Sequence, residues 1–211
     1  MRGDTLLLGI GNLLWADDGF GVRALAALHQ AYRFPASVRL IDGGTQGLYL
    51  LPCVEAARRL LVFDAIDCGL APGTLRVLRD GAIDLSLGAG KLSPHQSGFV
   101  EVLAHAALAG RAPEQTVLIG VQPAQLGDFG GSLSEPVRAR LPDALALALA
   151  VLAGWGVPGR ARATAPRTAL LAPSLEIGAY EAGRPSENDA CRAGDVRFLA
   201  RRSAALPRDS D

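Results

Sequence analysis

The chain has 211 residues, 49% of them hydrophobic and 20% charged, enough apolar material for a sizeable core and too much for a disordered protein. Its 21 Lys and Arg balance its 21 Asp and Glu, so no global field favours nucleic acid or an anionic membrane. Three separated cysteines, Cys53, Cys68 and Cys191, form no C-x-x-C pair, which argues against a disulfide scaffold or thiolate zinc knuckle and fits a reducing cytoplasm.

Residues 5–10, Thr-Leu-Leu-Leu-Gly-Ile, form a continuous apolar run closed by Gly11-Asn12, the pattern of a strand covered on both faces in a parallel sheet. Asp4 in front of it and Asp17-Asp18 behind, with no A-x-A site, argue against a secretory signal. The longest uncharged runs, 5–16 and 144–159, fall short of the roughly 20 apolar residues that cross a bilayer, so no membrane span is expected. After a loop containing Trp15 and the Asp17-Asp18 pair, Phe20, Val22, Leu25 and Leu28 recur at near-helical spacing. The acidic pair sits where a helix N-terminus favours negative charge.

Ser37 to Ile41 reads as a second strand ending in Asp42-Gly43-Gly44, followed by a helix near residues 48–57 and a third strand over Arg59 to Asp64. Residues 73–79 alternate as an edge strand with one wet face, a pattern open to antiparallel pairing. Ser93 as N-cap and Pro94 at the first helical position predict a helix running to Gly110 with His95 in its first turn. Thr116 to Val121 is a further apolar strand, and 135–154 reads as one final helix buried on most sides. Alternating strands and helices imply a doubly wound, mostly parallel α/β sheet with helices on both faces. The domain is expected to span 1–157, with 158–211 a Pro/Arg/Ala-rich tail, partly disordered or docked on it.

In open α/β sheets ligands sit beyond the carboxyl ends of the strands. Asp18 follows the first strand, Asp42 closes the second and Asp64 the third, while His95 stands at a helix start. Carboxylates with one imidazole make an oxygen and nitrogen donor set suited to a borderline divalent metal such as zinc or nickel. Each residue also has a plainer explanation. Asp17 and Asp18 serve a helix dipole equally well, and Asp42 before Gly-Gly is a ready turn former. Asp64 follows Leu-Leu-Val-Phe, where an unpaired charge would be expensive, so it calls for a partner or a metal. His29 and His105 fall within helices and read as structural or surface residues. The stretch from Gly9 to Leu14 begins like a dinucleotide fingerprint but lacks its third glycine. Cys68 as a nucleophile lacks a clear base, and neither a G-x-S-x-G elbow nor an H-E-x-x-H helix occurs.

Taken together, four blocks resemble the nickel-iron hydrogenase maturation endopeptidases, particularly those serving uptake hydrogenases. They are Gly9-Ile-Gly-Asn-Leu-Leu-Trp-Ala-Asp-Asp-Gly-Phe-Gly-Val22, Asp42-Gly-Gly-Thr-Gln-Gly47, Phe63-Asp-Ala-Ile-Asp67 with Pro72-Gly-Thr74, and Ser93-Pro-His-Gln96. The tail around Ala190-Cys-Arg-Ala-Gly-Asp-Val-Arg-Phe198 is similar to the extension of the uptake subgroup. The resemblance implies a monomeric endopeptidase that removes a C-terminal extension from the hydrogenase large-subunit precursor after nickel insertion. It places a metal on Asp18, Asp64 and His95, with the nickel supplied by the precursor, and sets Asp42 beside them. The family usually has glutamate where this chain has Asp18, a side chain one methylene longer. A non-catalytic, nickel-dependent hydrogenase assembly factor is the alternative on the same fold.

Overall fold

Strand β1 (Asp4–Ile10) lies between two parallel neighbours, and its side chains enter two apolar layers in turn. Leu7 joins Phe20, Leu25 and Leu28 on one face, whereas Leu6, Leu8 and Ile10 meet Leu50, Val54 and Phe99 on the other. A strand covered on both faces needs apolar side chains at every position, which accounts for its unbroken run. The computed structural model describes residues 4–83 and 94–184. Helix α1 (Phe20–Ala31) leads through the two-residue strand β2 (Tyr32–Arg33) to β3 (Val38–Gly44). Helix α2 (Leu51–Ala56), preceded by a 3-10 turn at 47–50, leads to β4 (Ala57–Ala65). The sheet is completed by β5 (Leu75–Arg79) and β6 (Gln115–Val121), in the order β3-β1-β4-β6-β5, with β5 antiparallel at the edge. This is the doubly wound class read from the sequence, including its antiparallel edge strand.

Helix α3 (Pro94–Leu108) covers the Leu6 and Leu8 face through Phe99, Val102 and Ala106. It stops at a left-handed Gly110, where the Arg111 amide donates to the Ala106 carbonyl at 2.7 Å. The expected N-cap, Ser93, lies outside the described residues. The stretch 135–154 is two helices, α4 (Glu135–Arg138) and α5 (Leu141–Gly154), not one. Pro142 has no amide to donate and fits only the opening turn of a helix, so the chain restarts there. Helix α5 buries one face, Ala144, Ala148, Val151 and Leu152, while Ala146 and Ala150 are exposed. Its Leu-Ala repetition therefore overstated its burial. No described helix is long and apolar enough to cross a membrane.

Beyond α5 the chain returns to the sheet domain. Strand β7 (Arg160–Ala161) pairs antiparallel with β2, and Arg162 Nε donates to the carbonyls of His29 and Tyr32, each at 3.0 Å. Helix α6 (Ile177–Ala182) sets Tyr180 against the Arg23 guanidinium, 5.0 Å from the ring centre, and Arg23 also donates to the Leu175 carbonyl. Glu181 accepts from Ser132 Oγ at 2.7 Å and from Arg138 at 2.6 Å. His29 and His105 bond to main-chain carbonyls, of Thr168 and Glu101 respectively, as structural histidines do.

Helix α1 approaches the sheet to backbone contact. A Cβ on Gly21 would stand 2.2 Å from the carbonyl oxygens of both Ile10 and Phe63, and one on Gly9 would stand 2.5 Å from the Gly21 carbonyl. These are main-chain atoms of a buried sheet and cannot swing aside, so Gly21→Ala should lower unfolding free energy by about 2–3 kcal/mol or more, read by urea denaturation. The tail contact adds a pH effect. The Ser132 hydroxyl, then Arg138, holds the Glu181 carboxyl below its usual range. That stabilisation is complete above the ordinary glutamate range and fades as pH falls through it and below. The Tm advantage of wild type over Glu181→Gln should therefore be present at neutral pH and shrink on acidification.

Candidate active site

The three aspartates stand at the carboxyl ends of three adjacent strands. Gly9 of β1 pairs with Asp42 of β3 on one side and with Phe63 of β4, next to Asp64, on the other. From β1 the chain moves outward to β3, then crosses back over β1 to β4, so successive connections diverge between β1 and β4. That is the switch point at which open α/β sheets leave a crevice.

Asp18 lies in the 3-10 turn Ala16–Gly19 that enters α1, only 7% exposed, and its Oδ2 accepts the Asn12 amide at 2.8 Å. The bond draws its carboxylate back toward the exit of β1. Gly11 makes the approach possible, since a Cβ there would stand 1.8 Å from the Asp18 carbonyl oxygen. Asp64 is 2% exposed, and its Oδ1 accepts the Ala65 amide at 2.8 Å. By alternation it shares the face of Leu60 and Val62, the layer that α2 and α3 cover. His95 lies in the first turn of α3 on that same side; its side chain lies outside the described residues. One turn further on, a Cβ at Gly98 would lie 3.4 Å from Gly47 Cα, so the start of α3 adjoins the loop that follows Asp42.

Asp42 has the parity of Leu40 and thus faces the layer of α1. Its Oδ1 accepts the Gly44 amide at 3.0 Å, the turn bond that Asp before Gly-Gly leads one to expect. Burial pushes its carboxyl above the ordinary aspartate range, against a smaller opposing effect of the Gly44 bond. The backbone thus brings Asp64 and His95 to one side of the sheet end, Asp18 to the adjoining loop, and Asp42 around the rim of β3. Among the described residues no three His, Cys, Asp or Glu side chains form a ready metal cluster.

Asp17 does something the sequence does not disclose. Wholly buried, it accepts from the amides of Ala124, Gln125 and Ser134 and from Ser134 Oγ, at 2.7–2.9 Å. It is the peg on which the loop after β6 hangs, and so is committed away from Asp18's task. Nothing in an Asp-Asp doublet reveals which member turns inward. Cys53 and Cys68 pack at the edge of the apolar layer under α2 and α3, with the Cys68 amide held by Gln122 at 2.8 Å.

A carboxylate-rimmed switch point on a five-stranded sheet places the chain among the doubly wound α/β proteins, and its sequence carries no serine elbow. Comparison with known proteins narrows the class. The family model for hydrogenase maturation protease (HycI) matches residues 22–151. A hydrogenase expression/formation protein, HupM of Azotobacter chroococcum, is 57% identical over 197 residues, covering 93% of this chain and 94% of its own. The hydrogenase 2 maturation protease of Escherichia coli is 40% identical over 153 residues, covering 72% and 92%. The solved structure of the maturating endopeptidase HybD from E. coli superposes with a TM-score of 0.72 at 38% identity, covering 75% of this chain and 98% of that one. The chain belongs to the hydrogenase maturation protease family.

Removing the Asp17 carboxylate strands three main-chain amides at once. Asp17→Ala should destabilise the protein by about 3 kcal/mol or more, and more than Asp18→Ala, which removes the acceptor of the Asn12 amide. Paired urea titrations of the two variants check the difference.

Proposed function

We propose that this chain is an endopeptidase that removes the C-terminal extension from the large-subunit precursor of a nickel-iron hydrogenase once nickel has been inserted. Family membership supports proteolysis in hydrogenase maturation. The observation that carries the finer reading is the placement of Asp18 and Asp64 on either side of the switch point, with His95 at the start of the helix covering Asp64's face. Two carboxylates and an imidazole are donors that nickel accepts. In this reading Asp18, Asp64 and His95 grip the nickel that the precursor carries, which fixes the scissile peptide beside them. Asp42, its carboxyl raised by burial, is the group assigned to activate water, which it must reach around the rim of β3 from the face of α1. The shorter Asp18 reaches a common point with the other donors if substrate draws its turn inward. The sparse cysteines support a cytoplasmic setting.

The test is incubation of the purified chain with precursor loaded with nickel and with precursor lacking it. A shortened large subunit is expected from the loaded form alone. A stable complex that never shortens would instead favour an assembly factor, which the expression/formation names of several relatives leave room for. Asp64→Asn and His95→Ala should each slow processing by about 100-fold or more while the fold melts normally. Wild-type rates from His95→Ala would remove that residue from the mechanism. Asp18→Glu should process at least as well as wild type, and Asp18→Asn poorly.

A further inference from the structure

The sequence has only two Trp, three Tyr and six Phe. Among the described residues the exposed aromatics are Trp15, Tyr49 and Phe129, and all three stand on loops at the carboxyl ends of the parallel strands. Tyr49 is 87% exposed, Phe129 63% and Trp15 39%. The exposed Leu14, Leu48, Leu70 and Leu126 lie on loops at the same end, after β1, β3, β4 and β6 respectively. Scattered exposed apolar residues need no explanation, but a set gathered around one rim does.

The aromatic pair is built, not incidental. Trp15 forms bridges to Phe129 and Gly131, the Gly130 amide donates to the Leu14 carbonyl at 2.7 Å, and the two rings meet edge to face at 5.3 Å. From behind, the Phe129 loop is tied to the tail through Ser132 to Glu181 and Tyr180 to the Gly131 carbonyl. Segments 11–19, 43–50, 66–74 and 122–134 contain no Lys or Arg, while Asp17, Asp18, Asp67 and Asp128 lie in them. Arg184 of the tail stands 3.9 Å from Asp128.

We propose that this rim, centred on the Trp15–Phe129 pair with Tyr49 across the sheet end, is the docking surface for an apolar, net-basic face of the hydrogenase precursor. The proposal rests on the proteolytic reading and adds what recognises the substrate. Apolar side chains supply the buried centre of the contact, as aromatic anchors do in protein interfaces. The basic partner follows from Asp67 and Asp128, the partly exposed carboxylates of a rim whose own loops hold no Lys or Arg. Residues that bind without touching the reacting bond change KM and leave kcat.

The experiment measures processing against precursor concentration for wild type, Phe129→Ser, Tyr49→Ser and Phe129→Leu, together with precursor binding by calorimetry. The two serine variants should raise KM and Kd by about tenfold each with kcat within about twofold of wild type. Phe129→Leu should restore most of the affinity, and all variants should melt as wild type does. Unchanged KM and Kd in folded serine variants would overturn the proposal, as would a loss confined to kcat. Binding should weaken several-fold between about 50 and 500 mM NaCl, and a flat or rising affinity would overturn the basic character of the partner. If wild type binds precursor but cleaves none, the proteolytic reading fails while the binding arm still decides the docking surface.

Discussion

The contact on which the active end depends is the seating of α1 against the backbone of β1 and β4. Gly21 rests against the carbonyl oxygens of Ile10 and Phe63 together, so the start of the helix lies over the crevice between those strands. No residue with a side chain fits that position, because the obstructing atoms are main chain inside a hydrogen-bonded sheet. Once the helix is pinned there, the turn that feeds it has little freedom. Residues 11–19 must leave β1, form a short loop and re-enter at a fixed point, which is why Gly11 meets the carbonyl of Asp18. The glycines that look like a nucleotide fingerprint are used here for helix-to-sheet approach, one of the tasks they perform in that fingerprint as well.

Two adjacent aspartates then divide the work according to direction alone. Asp17 turns toward the loop after β6 and takes four donors, a number that offsets the desolvation of a wholly buried carboxylate. Asp18 turns toward the exit of β1, where the Asn12 amide holds one of its oxygens. A carboxylate held by four neutral donors serves as a structural anion. The same contrast separates Asp42, whose nearest bond is its own turn, from Asp64, which is sunk in the β4 run on the side of α3.

Much of the fold was legible because both-face burial and edge exposure leave different patterns. Continuous runs at 5–10 and 116–121 marked interior strands, and the alternation at 73–79 marked the antiparallel edge. The final helix was overextended because leucine and alanine suit a helix on any face, while Pro142 alone carried the break. Strands β2 and β7 escaped notice because two-residue pairings have no period to detect. At the candidate site, residue types and strand ends were readable, since a carboxylate closing an apolar run is locally anomalous. The role of Asp17 was not, because its partners lie more than 100 residues away. The Trp15–Phe129 pairing was hidden for the same reason: two loop aromatics have no signal linking them until the sheet order sets their loops side by side.

The loop after β6 ties these features into one mechanical unit. Segment 122–134 has three glycines and buries few apolar side chains, Pro123 and Leu133, so its own apolar contacts cannot repay an ordering entropy on the order of 1–2 kcal/mol per residue. Its conformation is set from two sides. Asp17 binds its amides from within the sheet domain, and Glu181 and Tyr180 bind Ser132 and Gly131 from the tail. Phe129 is carried between those attachments and meets Trp15, two residues from Asp17 in the chain. HupM, which aligns over 93% of this chain, extends over much of the tail, whereas the E. coli protease, aligned over 72%, is matched over a shorter span. Glu181 and Tyr180, which brace the loop after β6, lie beyond the residues 22–151 that the family model matches, whereas Asp42 and Asp64 lie within them.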